Sequence, residues 1–372
     1  MYAGLLFYYR YNWDHIPMFS AKKSAADKER PSPTFVSVII AARNEEKNIG
    51  GCLRSILSQD YSKDYFEIIV VDDFSTDDTA SIVSSMKEKT VRLISLKEIL
   101  GDNKINSFKK KAIETGIINA KGSLIVTTDA DCIASPAWLR TIVAFYETFD
   151  PVLIAAPVTF FSKGTFFDIF QSLDFMALQG ITGAAIHKKF HAMCNGANLA
   201  YTKKAFDEVG GFTGIDNIAS GDDMLLMHKI SVKYPDKILF LKSRKAIVQS
   251  NAAATVHEFF QQRIRWASKS DKYVDKRITG ILILVYLVNA WIVMMFIFSI
   301  FFHSLFWWSI GLLVAKTLTE LYFLYPVSIF FGKEKMLWWF PIAQPFHILY
   351  TIIAGWLGKF GSYKWKGRSI DR

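Results

Sequence analysis

The stretch ITGILILVYLVNAWIVMMFIFSIFF, residues 278–302, runs for 25 positions without a charged side chain. Roughly 20 apolar residues of helix cross a bilayer core, and in hydrocarbon only a structure that satisfies its own backbone is viable. The stretch therefore predicts a transmembrane helix and divides the chain. After a turn at His303–Ser304 a second apolar segment follows at 304–331. It carries Lys316 and Glu320, spaced so that one neutralises the other inside a helix bundle. A third, at about 336–357, is interrupted by Pro341 and Pro345. Together these segments make a membrane region over 277–358. The tail beyond it, 359–372 with YKWKGR, is basic and favours the cytosol. Three crossings from a cytosolic domain would put that tail outside. Either the third segment is re-entrant or interfacial, or the tail departs from the positive-inside tendency.

The opening MYAGLLFYYRYNW is too short to span alone and does not look like a cleavable signal. Residues 1–33 are expected to form an interfacial or partial anchor followed by a solvated linker over 20–33. Lys plus Arg number 44 against 34 Asp plus Glu, a net charge of +10. No basic stripe interleaved with aromatics accompanies the excess, so no nucleic-acid partner is expected. Attraction of a cytoplasmic face to anionic lipid explains it better. The three cysteines, Cys52, Cys132 and Cys194, are scattered and form no CxxC pattern, which suits a reducing compartment.

Residues 34–276 read as a globular domain. A buried strand at Val36–Ala41 turns through Arg43 and Asn44 into a helix, and FEIIVVDDFSTDDTASIV repeats the pattern. VRLISL, a helix over Lys109–Asn119 and the strand LIVTT follow. Apolar strands alternating with amphipathic helices predict a mostly parallel sheet covered on both faces, with ligands beyond the carboxyl ends of the strands. Polar residues gather at three such ends: Arg43, Asn44 and Glu45; Asp72 and Asp73; Asp129 and Asp131. Two aspartates one residue apart repel unless something compensates them.

Six motifs in order then carry a resemblance: VSVIIAARNEE, VVDDFSTDDT, DAD, NGANLAYTKKAFDEVGGF, SGDD and QQRIRW. Over roughly residues 35–270 the chain resembles a membrane-anchored family 2 glycosyltransferase with a GT-A fold. The resemblance implies an α/β, Rossmann-like, nucleotide-sugar-binding domain followed by C-terminal transmembrane helices. Asp129 and Asp131 match the family's DxD motif and would hold a divalent cation, Mg2+ or Mn2+, together with the donor diphosphate. The chemistry suits such hard ions, which take one or two carboxylates plus phosphate oxygens.

By the same resemblance, Ala41, Arg43, Asn44 and Glu45 would line the nucleotide pocket. Of Asp72 and Asp73, one would meet the uracil or ribose and the other help orient the metal site. Asp73, Ser75 and Thr76 read equally as helix caps, while Asp77 and Asp78 suit a first helical turn. Lys109 matches the family's Gly-Lys-Ala helix start, although Phe108 replaces the glycine; Lys110 and Lys111 read as well as a solvated basic face. Gly196, Ala197 and Asn198 would shape the sugar and acceptor pocket. SGDD aligns Asp222 with the family's general base, with Gly221 in place of the usual Glu and Asp223 as the rival. QRIRW fits QxxRW: Gln262, Arg265 and Trp266 would serve the diphosphate and a sugar ring. An Arg-Trp pair at an interface also reads as a snorkelling anchor.

The expected activity is an inverting hexosyl transfer from a nucleotide sugar to a membrane lipid or lipid-linked acceptor, with the catalytic domain on the cytoplasmic side of a bacterial inner membrane. UDP is expected as the donor nucleotide from resemblance alone, and GDP or a lipid-phosphate donor stays open. Two alternatives remain: a processive polysaccharide synthase, and a non-catalytic membrane scaffold that binds nucleotide sugar.

Overall fold

The computed structural model describes residues 1–21, 33–101, 105–190, 193–218, 220–269, 275–360, 363–365 and 368–370. Most of the expected linker and much of the basic tail lie outside these residues. Along the chain the elements run α1 (Tyr2–His15), β1 (Val36–Ala42), α2 (Ile49–Leu57), β2 (Phe66–Asp72), α3 (Thr79–Ser85), β3 (Val91–Ser95), α4 (Leu96–Leu100), α5 (Phe108–Ile118), β4 (Leu124–Thr127), β5 (Ile133–Ala134) and α6 (Trp138–Phe149). Then come β6 (Leu153–Ala155), β7 (Val158–Phe160), α7 (Phe166–His187), β8 (Leu199–Thr202), α8 (Lys203–Glu208), α9 (Met224–Lys233), β9 (Ile238–Phe240) and β10 (Val248–Ser250). Four helices follow: α10 (Val256–Ala267), α11 (Lys276–Phe298), α12 (Ser304–Phe331) and α13 (Phe340–Phe360).

These elements pack as two compact units. A sheet unit comprises Pro17–Thr159 and Ile186–Asn251, and a helical unit comprises Met1–Ile16, Phe160–Ala185 and Ala252–Arg372. The sequence suggested a limit near residue 276; by packing, most of α7 and all of α10 group with the C-terminal helices.

In the sheet unit seven strands lie in the order β3-β2-β1-β4-β8-β6-β9. β3, β2, β1 and β4 are mutually parallel, β8 is antiparallel to both its neighbours, and β6 pairs parallel with β9. All but β8 therefore run one way. β2 is buried along its whole length, as a strand covered on both faces requires. Burying each large aliphatic side chain of β1 and β2 contributes about 1.5–3 kcal/mol. The register aligns Ala42 with Asp72 and Asp72 with Ser95, so these strands present their carboxyl ends at one level. α5 lies hard against this sheet. A Cβ at Gly116 would come within 2.6 Å of Ile39 Cγ2, so only glycine allows that approach. β5, β10 and β7 form a small second sheet.

In the helical unit three helices, Lys276–Phe298, Ser304–Phe331 and Glu334–Phe360, are long and apolar enough to cross a membrane by length and composition. The third was expected to break at its prolines. Instead α13 runs unbroken through Pro345, while Pro341 falls in its first turn, where no intrahelical N–H is needed. α1 packs along the second half of α12: the Tyr2 hydroxyl donates to Glu320, Arg10 donates to the Tyr322 carbonyl at 2.5 Å, and Trp13 meets Phe330 edge-on at 5.4 Å. Lys316 and Glu320 pair at 2.7 Å, and Gln344 of α13 accepts from Lys316 at 2.8 Å and donates to Glu320. The charges are thus met inside the bundle.

Candidate active site

Two loops at the carboxyl ends of β1 and β2 are fastened to each other. Arg43 donates to the carbonyls of Asp73 and Phe74 at 2.9 and 2.8 Å. Asn44, held at φ +52°, donates its N–H to Ser75 and accepts from the N–H of Thr76. The N–H of Glu45 donates to the Thr79 hydroxyl at 2.7 Å. Arg43 and Asn44 therefore tie the two loops together, while Ala41 sits half-buried in β1. Asp72 is buried; one of its oxygens accepts from Ser75 N–H, and Oδ1 has no hydrogen-bond partner among the described residues. A buried acceptor without a donor is costly. Asp73 is almost fully buried. None of Asp73, Ser75 and Thr76 caps α3: its N-cap is Asp78, without a side-chain capping bond, and Asp77 just before it accepts from the N–H of Thr79 at 3.1 Å.

Beyond β4 lie Asp129 and Asp131. Asp131 accepts from the hydroxyl of Ser250 at 2.9 Å, a contact no sequence signal announced because Ser250 ends β10, 119 residues on. Burial first, then the negative charges of Asp129 and Glu45, push the Asp131 carboxyl above its ordinary pKa. Lys109, in the first turn of α5, bridges the acids: its ammonium is 2.9 Å from Asp129 and 3.4 Å from Asp222. Burial works against that charge, but Asp129 and Asp222 outweigh it and hold the lysine above its ordinary pKa. Three residues nominated separately in sequence thus meet at one point.

The two candidates for the base differ in their surroundings. Asp223 caps α9, its carboxylate accepting from the N–H groups of Met224 at 2.7 Å and Gly196 at 3.0 Å. Both its oxygens serve the fold, whereas Asp222 turns a carboxylate oxygen to Lys109. Gly196 lies close to both, and a Cβ there would sit 3.2 Å from Asp222 Oδ2, so that carboxylate would have to shift by a few tenths of an ångström. Gly221 has φ +81°, a conformation that the family's usual Glu would strain. That departure is explained by the turn. Ala197 and Asn198 are buried; Asn198 accepts from the Trp138 indole at 2.9 Å and donates to the carbonyls of Pro157 and Ala246. It acts on the pocket from behind rather than on a ligand.

Lys110 corrects the expectation of a solvated face. It is 2% exposed and donates to the carbonyls of Ile215, Ile218 and Ser220. Only Lys111 meets that expectation, pairing with Glu114 at 2.8 Å.

In the helical unit α10 carries Gln262, Arg265 and Trp266. Arg265 and Trp266 are half-buried. The neighbour that sequence reasoning passed over, Arg263, is 4% exposed and pairs with Asp174 of α7 at 2.7 Å. Its guanidinium also stacks 4.3 Å over the Trp266 ring and donates to Gln262 Oε1 at 2.8 Å. Tyr350 of α13 donates to the same Asp174.

Among the described residues no group of three His, Cys, Asp or Glu side chains is arranged to hold a metal. Two carboxylates nevertheless fit a hard divalent cation that draws its other oxygens from a diphosphate, and the crowding of Asp131 by Asp129 and Glu45 marks a place where positive charge is favoured.

Residues 37–210 match the profile described as glycosyl transferase family 2, and residues 124–357 that of glycosyl transferase family group 2. The chain is a family 2 glycosyltransferase. Among curated proteins this transferase is 29% identical over 192 residues to glycosyltransferase AglE of Haloferax volcanii, covering 51% of this chain and 59% of that one. It is 24% identical over 248 residues to a beta-monoglucosyldiacylglycerol synthase of Synechocystis sp., covering 64% of this chain and 49% of the relative. The transferase thus spans about half the length of these relatives. Of solved structures, the mannosyltransferase PcManGT from Pyrobaculum calidifontis, in complex with GDP-Man and Mn2+, superposes with a TM-score of 0.55 at 19% identity, covering 93% of this chain and 94% of that one. The α/β fold is of the GT-A type, followed by three helices apolar enough to span a membrane.

Proposed function

We propose that this transferase moves a sugar from a nucleotide sugar to a membrane lipid or lipid-linked acceptor, with inversion at the anomeric carbon. The observation that carries the reading is the convergence of Asp129 and Asp222 on Lys109 at the carboxyl ends of a GT-A sheet. Asp222 takes the proton of the acceptor hydroxyl as its oxygen bonds the anomeric carbon. The bond from that carbon to the diphosphate breaks, and the nucleoside diphosphate leaves. Asp129 and Asp131 would hold Mg2+ or Mn2+, which would supply positive charge to offset that of the leaving diphosphate. Asp72, with its unpartnered Oδ1, receives an N–H or O–H of the base or ribose, beside Asp73 and the pocket wall of Ala41, Arg43, Asn44 and Glu45. Lys109 offers its ammonium to phosphate once the donor enters. Gly196, Ala197 and Asn198 shape the pocket under the base. By the QxxRW resemblance Arg265 would offer its fork of donors to a diphosphate, Trp266 a flat face to a sugar ring, and Gln262 a polar neighbour to both.

The donor nucleotide is UDP by the motifs, and the GDP-mannose bound by PcManGT keeps GDP beside it. A lipid acceptor accords with the three apolar helices and with the diacylglycerol product in the name of the cyanobacterial relative. The catalytic region lies on the cytoplasmic side of a bacterial inner membrane. The processive alternative draws on the QxxRW spacing, which polysaccharide synthases share. The scaffold alternative loses one of its two supports, since Gly221 is required by its positive φ.

The test is full-length protein in lipid vesicles with Mn2+ or Mg2+, UDP- and GDP-sugars and diacylglycerol, scoring nucleotide release and product size. Metal-dependent release with a single-sugar lipid bears out the reading, and Asp222→Asn should lower it by about 10²- to 10⁴-fold. A ladder of long products moves the assignment to a polymerase. Release untouched by Asp222→Asn removes the base assignment.

A further inference from the structure

Three consecutive lysines open α5, and successive helix residues point about 100° apart. Lys109 faces the acids, Lys111 the surface, and Lys110 the segment 215–220 that leads into Asp222. Its buried ammonium donates to Ile215 O at 2.7 Å, to Ser220 O at 3.1 Å and to Ile218 O. Ser107, the residue before α5, donates to the same Ile218 carbonyl at 3.0 Å. Immediately after this clasp comes Gly221 at φ +81°, whose carbonyl receives Leu225 N–H at 3.1 Å and so begins α9. Asp222 therefore stands between a clamped loop and a fixed helix start, with the pivot at a glycine. Lys229 also holds this stretch upstream, at the carbonyls of Gly211 and Thr213, so the clasp fixes the part nearest Asp222.

We propose that Lys110 is a positioning residue for this transferase: by gathering three carbonyls of the 215–220 loop it sets where the Asp222 carboxylate stands relative to Lys109 and the reacting hydroxyl. The inference rests on the reading of Asp222 as base. It gives the two adjacent lysines separate tasks, one touching the reacting charges and the other holding the loop that bears the base. Because both project from the same helix turn, any shift of α5 carries Asp222 and its counter-ion together, which preserves their separation.

A displacement of about 1 Å in a reacting group costs about 10²-fold in rate. Lys110→Met, full length in phosphatidylglycerol vesicles, should lower kcat for nucleotide release from the best donor of a UDP- and GDP-sugar panel by about 10- to 100-fold. The donor KM should stay within about twofold, because Lys110 does not line the donor side. Hydrogen exchange over residues 211–225 should quicken while β1 and β2 keep their protection. If Lys110→Met does not fold, Ser107→Ala removes one bond of the same clasp and should lower kcat by about two- to fivefold at unchanged KM. Unchanged kcat in a folded variant, or a loss matched by the lost fraction of folded protein, overturns the proposal. Asp222→Asn is assayed beside them. If it retains full transfer while Lys110→Met does not, the base reading fails and the positioning of Asp222 fails with it. If Asp222→Asn is inactive and Lys110→Met is normal, only the present inference falls.

Discussion

The two units treat ionisable groups in opposite ways. In the helical unit each buried charge described here meets its opposite: Lys316 with Glu320, Arg263 with Asp174, with Gln344 and Tyr350 adding hydrogen bonds. In the sheet unit like charges are crowded. Asp129 and Glu45 raise the cost of charge on Asp131, and Lys109 is a cation bonded to Asp129 and paired with Asp222. A matched set holds helices together, whereas an acid-rich set held in place by the fold is the arrangement that the proposed cation and diphosphate would relieve. Stability and catalysis should therefore separate by unit.

The largest effect expected is on activity, from the sheet unit. Asp131→Asn should remove metal-dependent nucleotide release by about 10²-fold or more while leaving the melting temperature in the absence of metal unchanged or higher, because one repelling charge is gone. A fall in stability instead would mean that Asp131 is met within the fold in the way Glu320 is, and the contrast would collapse.

Next is stability, in the helical unit. Lys316→Met strands Glu320 in the bundle and should cost about 3–5 kcal/mol. The double variant Lys316→Met/Glu320→Leu should be more stable than the single. Thermal unfolding in detergent reads both. Nucleotide release per folded molecule should stay unchanged, and a specific loss of turnover would give the pair a function beyond packing.

These contrasts were partly legible before any coordinates. The strands and helices of the sheet unit announce themselves because burial on both faces leaves continuous apolar runs, and the acids that end them are visible as breaks in those runs. The pairing of Lys316 with Glu320 is legible because helix geometry fixes which residues meet. What is hidden depends on contacts distant in sequence. Which of three lysines is buried is decided by a loop over 100 residues downstream. The Arg263–Asp174 pair joins two helices that no local pattern connects, and Ser250 reaches Asp131 only because β10 pairs with β5. Gly221 looks like a lost glutamate in sequence, and only its φ shows a backbone need. Continuity through Pro345 is equally hidden, because whether neighbouring groups satisfy a freed carbonyl is a matter of packing.

A smaller effect tests the division of labour between adjacent acids. Asp223→Ala should cost about 1 kcal/mol, chiefly from the lost cap of α9, and should free the Gly196 turn that it anchors. Asp222→Asn should leave stability within about 0.5 kcal/mol and lose turnover. Denaturant unfolding alongside nucleotide release separates them; equal losses of stability would make Asp222 a second structural acid.

The smallest effect concerns Asp77, a partly exposed acid of the sheet unit. Burial, the largest single effect, raises its pKa, but the Thr79 hydroxyl and the N–H groups of Glu46 and Thr79 together outweigh it and bring it below the ordinary carboxylate value. A depressed folded pKa means that the ionised acid stabilises the fold above the unfolded pKa, and that this contribution fades as pH falls through the folded one. Solvent screening keeps it small. Wild type should therefore lose stability relative to Asp77→Asn on acidification below about pH 4, read as local hydrogen exchange at α3 rather than as global unfolding. Parallel curves for the two proteins would show that Asp77 holds the loop ends together equally well without its charge, leaving the acids around Lys109 as the part of the sheet unit where charge itself matters.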